Sequence, residues 1–168
     1  MGRILGNLAN LELSAGDLDA ARGHLTEALD IYRALNNRDG ILYGTFDLGL
    51  AEYISGSPDA AQALFAEALD LARRMGIRRM IAYTLLGLAL ASHGEAGPGW
   101  SARLHGVADQ ALDDLGVSLD PLESQLADLD RQRLRAAMGA EAFEAEYAAG
   151  RALTSEEALS QFPARADL

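Results

Sequence analysis

GDLDAARGHLTEALDIY (residues 16–32) and GSPDAAQALFAEALDLA (residues 56–72) align position for position when the chain is displaced by 40 residues. Gly16, Asp19, Ala20, Ala21, Glu27, Ala28, Leu29 and Asp30 recur as Gly56, Asp59, Ala60, Ala61, Glu67, Ala68, Leu69 and Asp70. The preceding stretch obeys the same displacement. Leu8 becomes Leu48 and Leu88, Tyr43 becomes Tyr83, and Ala9, Gly49 and Ala89 are all small. A third copy has decayed: Leu64 and Ala68 persist as Leu104 and Ala108, but the turn has become GEAGPG (94–99) and Ala60 has become Trp100. Apolar, small and turn positions that recur together over a whole unit mark a stacked-repeat architecture.

Each unit reads as two helices. Alanine and leucine dominate, proline is scarce and β-branched residues are few, which favours helix over sheet. The spacing predicts first helices over 3–15, 39–55 and 77–93, and second helices over 18–36, 58–75 and 98–115. Ser57-Pro58 offers an N-cap followed by a proline at the first helical position, where its missing N–H is harmless. Gly76 and Gly116 stand where a helix end asks for a left-handed residue. Gly49 and Ala61 let two antiparallel helices approach closely, with Leu48, Leu64, Phe65 and Leu69 filling the seam. Each buried side chain of that size contributes ~1.5–3 kcal/mol. One hairpin cannot bury its apolar face alone, so the units must stack. The expectation is an all-α solenoid of about three helix-turn-helix units, residues 1–37, 38–76 and 77–116. Residues 117–162 are expected to form capping helices and 163–168 a frayed tail. The abrupt apolar start of the first helix suggests further repeats upstream.

Composition narrows the chemistry. There is no Cys, which removes disulfides, thiolate nucleophiles and Cys-ligated zinc. All 14 basic residues are Arg, so no lysine is present for a Schiff base or a phosphate loop. GEAGPG is no such loop, having neither a preceding strand nor a following Lys. His24, His93 and His105 match no metal-ligand spacing. A site at His93 and His105 would have only Glu95 nearby. A net charge of −11 argues against a nucleic-acid surface, which needs a basic stripe. The cluster Arg73, Arg74, Arg78 and Arg79 reads as a solvated helix end favoured by the dipole. The carboxylates fall on solvent-facing positions and helix N-termini, with none paired in an apolar pocket as acid–base catalysis needs. Neither a transmembrane run nor a signal peptide is visible. No enzyme, cofactor or metal is therefore expected, and the default compartment is the cytoplasm.

Leu48-Gly49 followed by Ala61-x-x-x-Phe65 and Ala68-Leu69 resembles the signature of the tetratricopeptide repeat (TPR) family in order and spacing. Glu52 replaces the usual aromatic, the closing proline is missing, and the period exceeds the usual ~34. The extra residues extend the second helix through LARRMG (71–76). Long, proline-free repeats of this kind are similar to those in the sensor regions of bacterial transcription regulators of the MalT/LuxR type and of related signalling ATPases.

After Gly116 the period is lost. Asp120-Pro121-x-Glu123 reads as an N-cap, a first-turn proline and a capping-box acid. It opens a helix over 121–138 with an apolar stripe of Leu122, Leu126, Leu129, Leu134 and Met138. Gly139 ends it, and Gly150 ends a short helix over 140–149 that presents Phe143 and Tyr147. Thr154-x-x-Glu157 is a second capping box. Residues 100–160 resemble the C-terminal ends of actinobacterial regulators and cyclase-like proteins.

In stacks of this family the first helix of each pair lines the concave surface. The resemblance so places Arg3 and Asn10 there from the first unit, Tyr43, Phe46, Leu50 and Tyr53 from the second, and Tyr83, Leu86, Leu90 and His93 from the third. Such an aromatic groove suits a helix or an extended peptide. Three uses stay open: a ligand groove, coverage by the chain's own C-terminal helices, or a homodimer seam. Trp100 is expected to staple the turn it follows. The implied function is a non-catalytic scaffold for a protein or peptide partner, at the sensor or interaction end of a bacterial regulator. The alternatives are a small-molecule inducer sensor of the MalT-like kind and a homo-oligomerisation module.

Overall fold

A computed structural model describes residues 1–92 and 97–161. Among them it holds nine helices and no strand. Three antiparallel pairs come first: α1 (Gly2–Ala15) with α2 (Leu18–Ala34), α3 (Arg38–Ile54) with α4 (Pro58–Met75), and α5 (Arg78–Ala91) with α6 (Gly97–Leu115). Then follow α7 (Pro121–Met138), α8 (Ala140–Arg151) and α9 (Ser155–Gln161). The predicted helices stand to within about two residues at most ends. The expected tail at 163–168, His93 and the first half of the GEAGPG turn (94–96) lie outside the described residues.

Local signals set the turns. Gly16 and Gly76 end α1 and α4 in the left-handed region at φ 81° and 68°. The N–H of Asp17 then reaches the Glu12 carbonyl at 2.9 Å, and that of Ile77 reaches Ala72 at 3.0 Å. Asn37 caps α3 by accepting the Gly40 N–H at 3.0 Å. Ser57 stands at the N-cap of α4 but makes no side-chain cap bond, so Pro58 alone carries the start signal there.

Phe65 is the pivot of the core. Its ring lies between Gly49 of its own unit and Gly87 of the next, where an added Cβ would come within 2.7 and 2.5 Å of it. Gly49 and Gly87 therefore admit one large ring from the second helix of the middle unit. Glu52, in place of the expected aromatic, pairs with Arg22 of α2 at 2.7 Å.

The C-terminal helices do not follow in register. α8, not α7, packs on α6 as α3 packs on α2 and α5 on α4. Gly150 does not end α8 but lies buried within it, and a Cβ there would meet the Arg103 carbonyl at 2.0 Å. On α6, Gly106 answers it, 2.1 Å from the Tyr147 carbonyl by the same measure. The paired glycines let the two backbones touch. α7 is left to cross the face formed by the first helices. Leu122 packs against the cores of both the first unit and the later ones, Leu126 and Ala127 against the latter, and Leu134 against Ala102 and Phe143. Leu129, expected in the same stripe, is exposed.

One apolar face has no cover. Ile4, Leu8 and Leu11 of α1 are 68%, 39% and 69% exposed. Their equivalents Gly44, Ala51, Thr84, Leu88 and Ala91 are buried, with Leu48 partly so. In units two and three the second helix of the preceding unit lies against this face.

Candidate functional site

Over the third unit the concave face is taken by the chain's own segment Ser118–Glu123. Tyr83 organises it. Its hydroxyl donates to Asp120 Oδ2 at 3.1 Å, with the Ser118 carbonyl a second acceptor at 3.4 Å, and accepts from the Asp120 N–H at 3.2 Å. Arg79 donates to both Tyr83 Oη (3.2 Å) and Asp120 Oδ2 (3.1 Å), its guanidinium 5.0 Å from the Tyr83 ring centre. The expected Asp120 N-cap is therefore spent on Tyr83 and Arg79 and makes no cap bond. Of the cluster Arg73, Arg74, Arg78 and Arg79, the first two stand at the C-terminus of α4, whereas Arg78 and Arg79 open α5. Further along α7, His105 Nε2 donates to Asp130 Oδ2 at 2.9 Å, both side chains fully buried. Arg133 closes on the other oxygen at 2.7 Å. Burial alone would raise Asp130, but His105 and then Arg133 hold it below the ordinary carboxylate range.

Beside this strap a cleft of about 250 Å³ stays open between α1, α3, α5 and the start of α7. Arg3, Asn7 and Asn10 line it from α1, Tyr43, Phe46 and Asp47 from α3, Arg79 and Tyr83 from α5, and Asp120 and Glu123 from α7. An adjoining recess of about 230 Å³ adds Ser14, Leu50, Pro121 and Leu122. Of the residues the resemblance singled out, Arg3, Asn10, Tyr43, Phe46 and Tyr83 meet at the cleft, and Leu50 at the recess. Tyr43 is 43% exposed, whereas Phe46 forms the floor, its ring edge-on to Tyr83 at 5.9 Å. Tyr53 is half-buried near Asp130 and Arg133. Leu86 and Leu90 are buried in the core and present no surface to a ligand. His93 lies outside the described residues.

The carboxylates correct the sequence reading. Asp47 is drawn into the seam, where burial and then the Glu123 charge push its pKa up to about 7, against an Asn10 hydrogen bond that lowers it. Glu123 is buried and also raised, first by burial, with its own backbone N–H pulling the other way. The repeat contains the missed signal. Displaced by 40 residues, Phe65 and Gly87 correspond to Leu25 and Asp47. The smaller Leu25 leaves room for a side chain where Phe65 tolerates none. Among the described residues no group of three or more His, Asp or Glu side chains is arranged to hold a metal. None of their helices is long and apolar enough to cross a membrane.

These stacked helical hairpins define a repeat protein. Residues 1–74 match the family model of the tetratricopeptide repeat, whose members serve as protein-interaction scaffolds. Neither the curated proteins nor the solved structures gave a match.

Proposed function

We propose that this chain is a non-catalytic scaffold that binds a protein or peptide partner through the part of its concave face that α7 leaves open. One comparison carries the reading. Tyr43 and Tyr83 are equivalent in the repeat. Tyr83 is wrapped by a segment of chain that it and Arg79 hold through side-chain and backbone bonds, whereas Tyr43, one unit earlier, stands exposed beside the open cleft. The self-contact thus illustrates how this face engages an extended segment. The long proline-free repeats and the resemblance over residues 100–160 support a place at the sensor end of a bacterial regulator. A photo-crosslinking residue placed at position 43 should capture the partner, and Tyr43→Ala should abolish its binding. Partner binding untouched by that change would remove the concave face from the account. The cleft is smaller than the ~300–1,000 Å³ usual for drug-sized ligands, which ranks a small-molecule inducer second. A metabolite raising the melting temperature in proportion to its occupancy would reverse that order.

The α1 stripe favours a second reading, self-association. Ile4, Leu8 and Leu11 form a contiguous apolar face at helical spacing, and such patches mark contact sites. Sedimentation should then give a concentration-dependent mass that Leu11→Glu abolishes.

A further inference from the structure

Asp47 and Glu123 have no part in holding α7 down. Tyr83, Arg79 and His105 do that through Asp120 and Asp130, and Asp109 of α6 does so through Arg131. Glu123 is 8% exposed, lines both the cleft and the recess, and among the described residues hydrogen-bonds to its own backbone N–H alone. Asp47 faces the same space from α3 with only Asn10 bonded beside it. Two carboxylates from different helices thus converge on a space that supplies them few donors. Burying carboxylate charge that no cation offsets is unfavourable, and an arriving cation relieves it. The fold itself has no use for the charge, since the position equivalent to Asp47 in unit three is Gly87.

The repeat also shows a change of charge between the two units. In unit three the residue four before the tyrosine is Arg79, and the segment it holds brings the carboxylate of Asp120. In unit two the residue four before Tyr43 is Asp39. The cations facing the cleft are Arg79, already engaged by Asp120 and Tyr83, and Arg3 from α1. Tyr32 and Tyr83 complete the titratable groups around it.

We propose that this cleft is a receptor for a guanidinium or ammonium group, seated between Asp47 and Glu123 with its aliphatic stem against the exposed ring of Tyr43. Arginine matches the arrangement best. Its planar fork can donate to two carboxylates at once, and its stem and charge both suit an aromatic face. The assignment deepens the scaffold reading and rests on it: the partner segment presents an arginine or lysine to this face.

NMR titration at pH 8 with a blocked Gly-Gly-Arg-Gly-Gly peptide, its citrulline counterpart, its aspartate counterpart and spermidine tests it. The arginine peptide should shift Asn10, Tyr43 and Asp47 while leaving α8 unmoved. Asp47→Asn and Glu123→Gln should each weaken it about tenfold. Its affinity should fall as pH drops from 8 to 6 and Asp47 takes up a proton. Either source of cation supports the site: tighter binding of the peptide assigns it to a partner side chain, tighter binding of spermidine to a free polyamine. Equal shifts from the citrulline or aspartate peptide, silence of the cleft to both cations, or unchanged binding in both variants would overturn the proposal. If the cations fail while Tyr43→Ala still releases the partner, the cationic assignment falls and the scaffold reading stands.

Discussion

Asp47→Asn should make the protein more stable at alkaline pH, although it removes a charged residue and adds no contact. In the unfolded chain Asp47 loses its proton near pH ~3.9. In the folded one it does so only at about 7. Between those values the native state holds a proton that the unfolded state has released, so stability falls as pH rises through the window. At ~1.4 kcal/mol per pH unit the full interval corresponds to ~4 kcal/mol. Asp47 keeps part of its surface toward the cleft, so ~1–3 kcal/mol is the working expectation. Glu123 is raised too, and its charge is the second cause of the Asp47 shift after burial. Asparagine preserves shape and a hydrogen bond with Asn10 while removing both the charge and its repulsion of Glu123. Urea unfolding at pH 5.5 and 8.5, followed by circular dichroism, gives the two free energies. The wild type should lose stability between them, and the variant should lose less and be the more stable protein at pH 8.5. A variant equal to or weaker than wild type at pH 8.5, with the same slope, would show that Asp47 is neither desolvated nor coupled to Glu123.

Tyr83→Phe should cost about 1–2 kcal/mol and speed amide exchange at Asp120 and its neighbours, because one hydroxyl bonds both Asp120 groups. Gly150→Ala should destabilise by about 3 kcal/mol or more, read as a fall in melting temperature, since its Cβ would meet the Arg103 carbonyl. Gly23→Ala in α2, with nothing within 4 Å of the new atom, should instead stabilise by up to ~1 kcal/mol. Asp130→Asn should cost about 3–5 kcal/mol in urea unfolding at neutral pH, because it removes the buried carboxylate that hydrogen-bonds His105 and pairs with Arg133. Asp130 is depressed in the fold, so its contribution is present above the unfolded value near pH ~4 and disappears as pH falls through the lower folded one. The wild type should therefore lose stability in that acid range, and the variant should not.

The repeat was legible because the same packing problem is solved in successive units. Gly49, Ala61 and Phe65 are where one helix must approach another, and they show it in the sequence. The path of α7 was not legible. An apolar stripe says that a helix is covered, not by what, and Leu129 shows that even the stripe was approximate. Gly150 misled because a glycine at a close backbone crossing and one at a helix end look alike in a single sequence. In the cleft, tyrosines could be placed by period, but Leu86 and Leu90 obeyed the same period and went to the core. Asp47 became meaningful only beside Leu25, a partner one element away. Glu123 arrives from outside the repeat altogether, so no internal comparison could have found it.

The transverse course of α7 changes how this array can come apart. Units that touch only their neighbours unravel singly, each loss independent of distant ones. Here a single rod spans them: Leu122 reaches the first unit, Leu126 and Ala127 the next two, and Leu134 the closing helix α8. Detaching any hairpin must strip one side of that rod. The rod couples units beyond nearest neighbours, trading the supple spring of a simple solenoid for a braced frame.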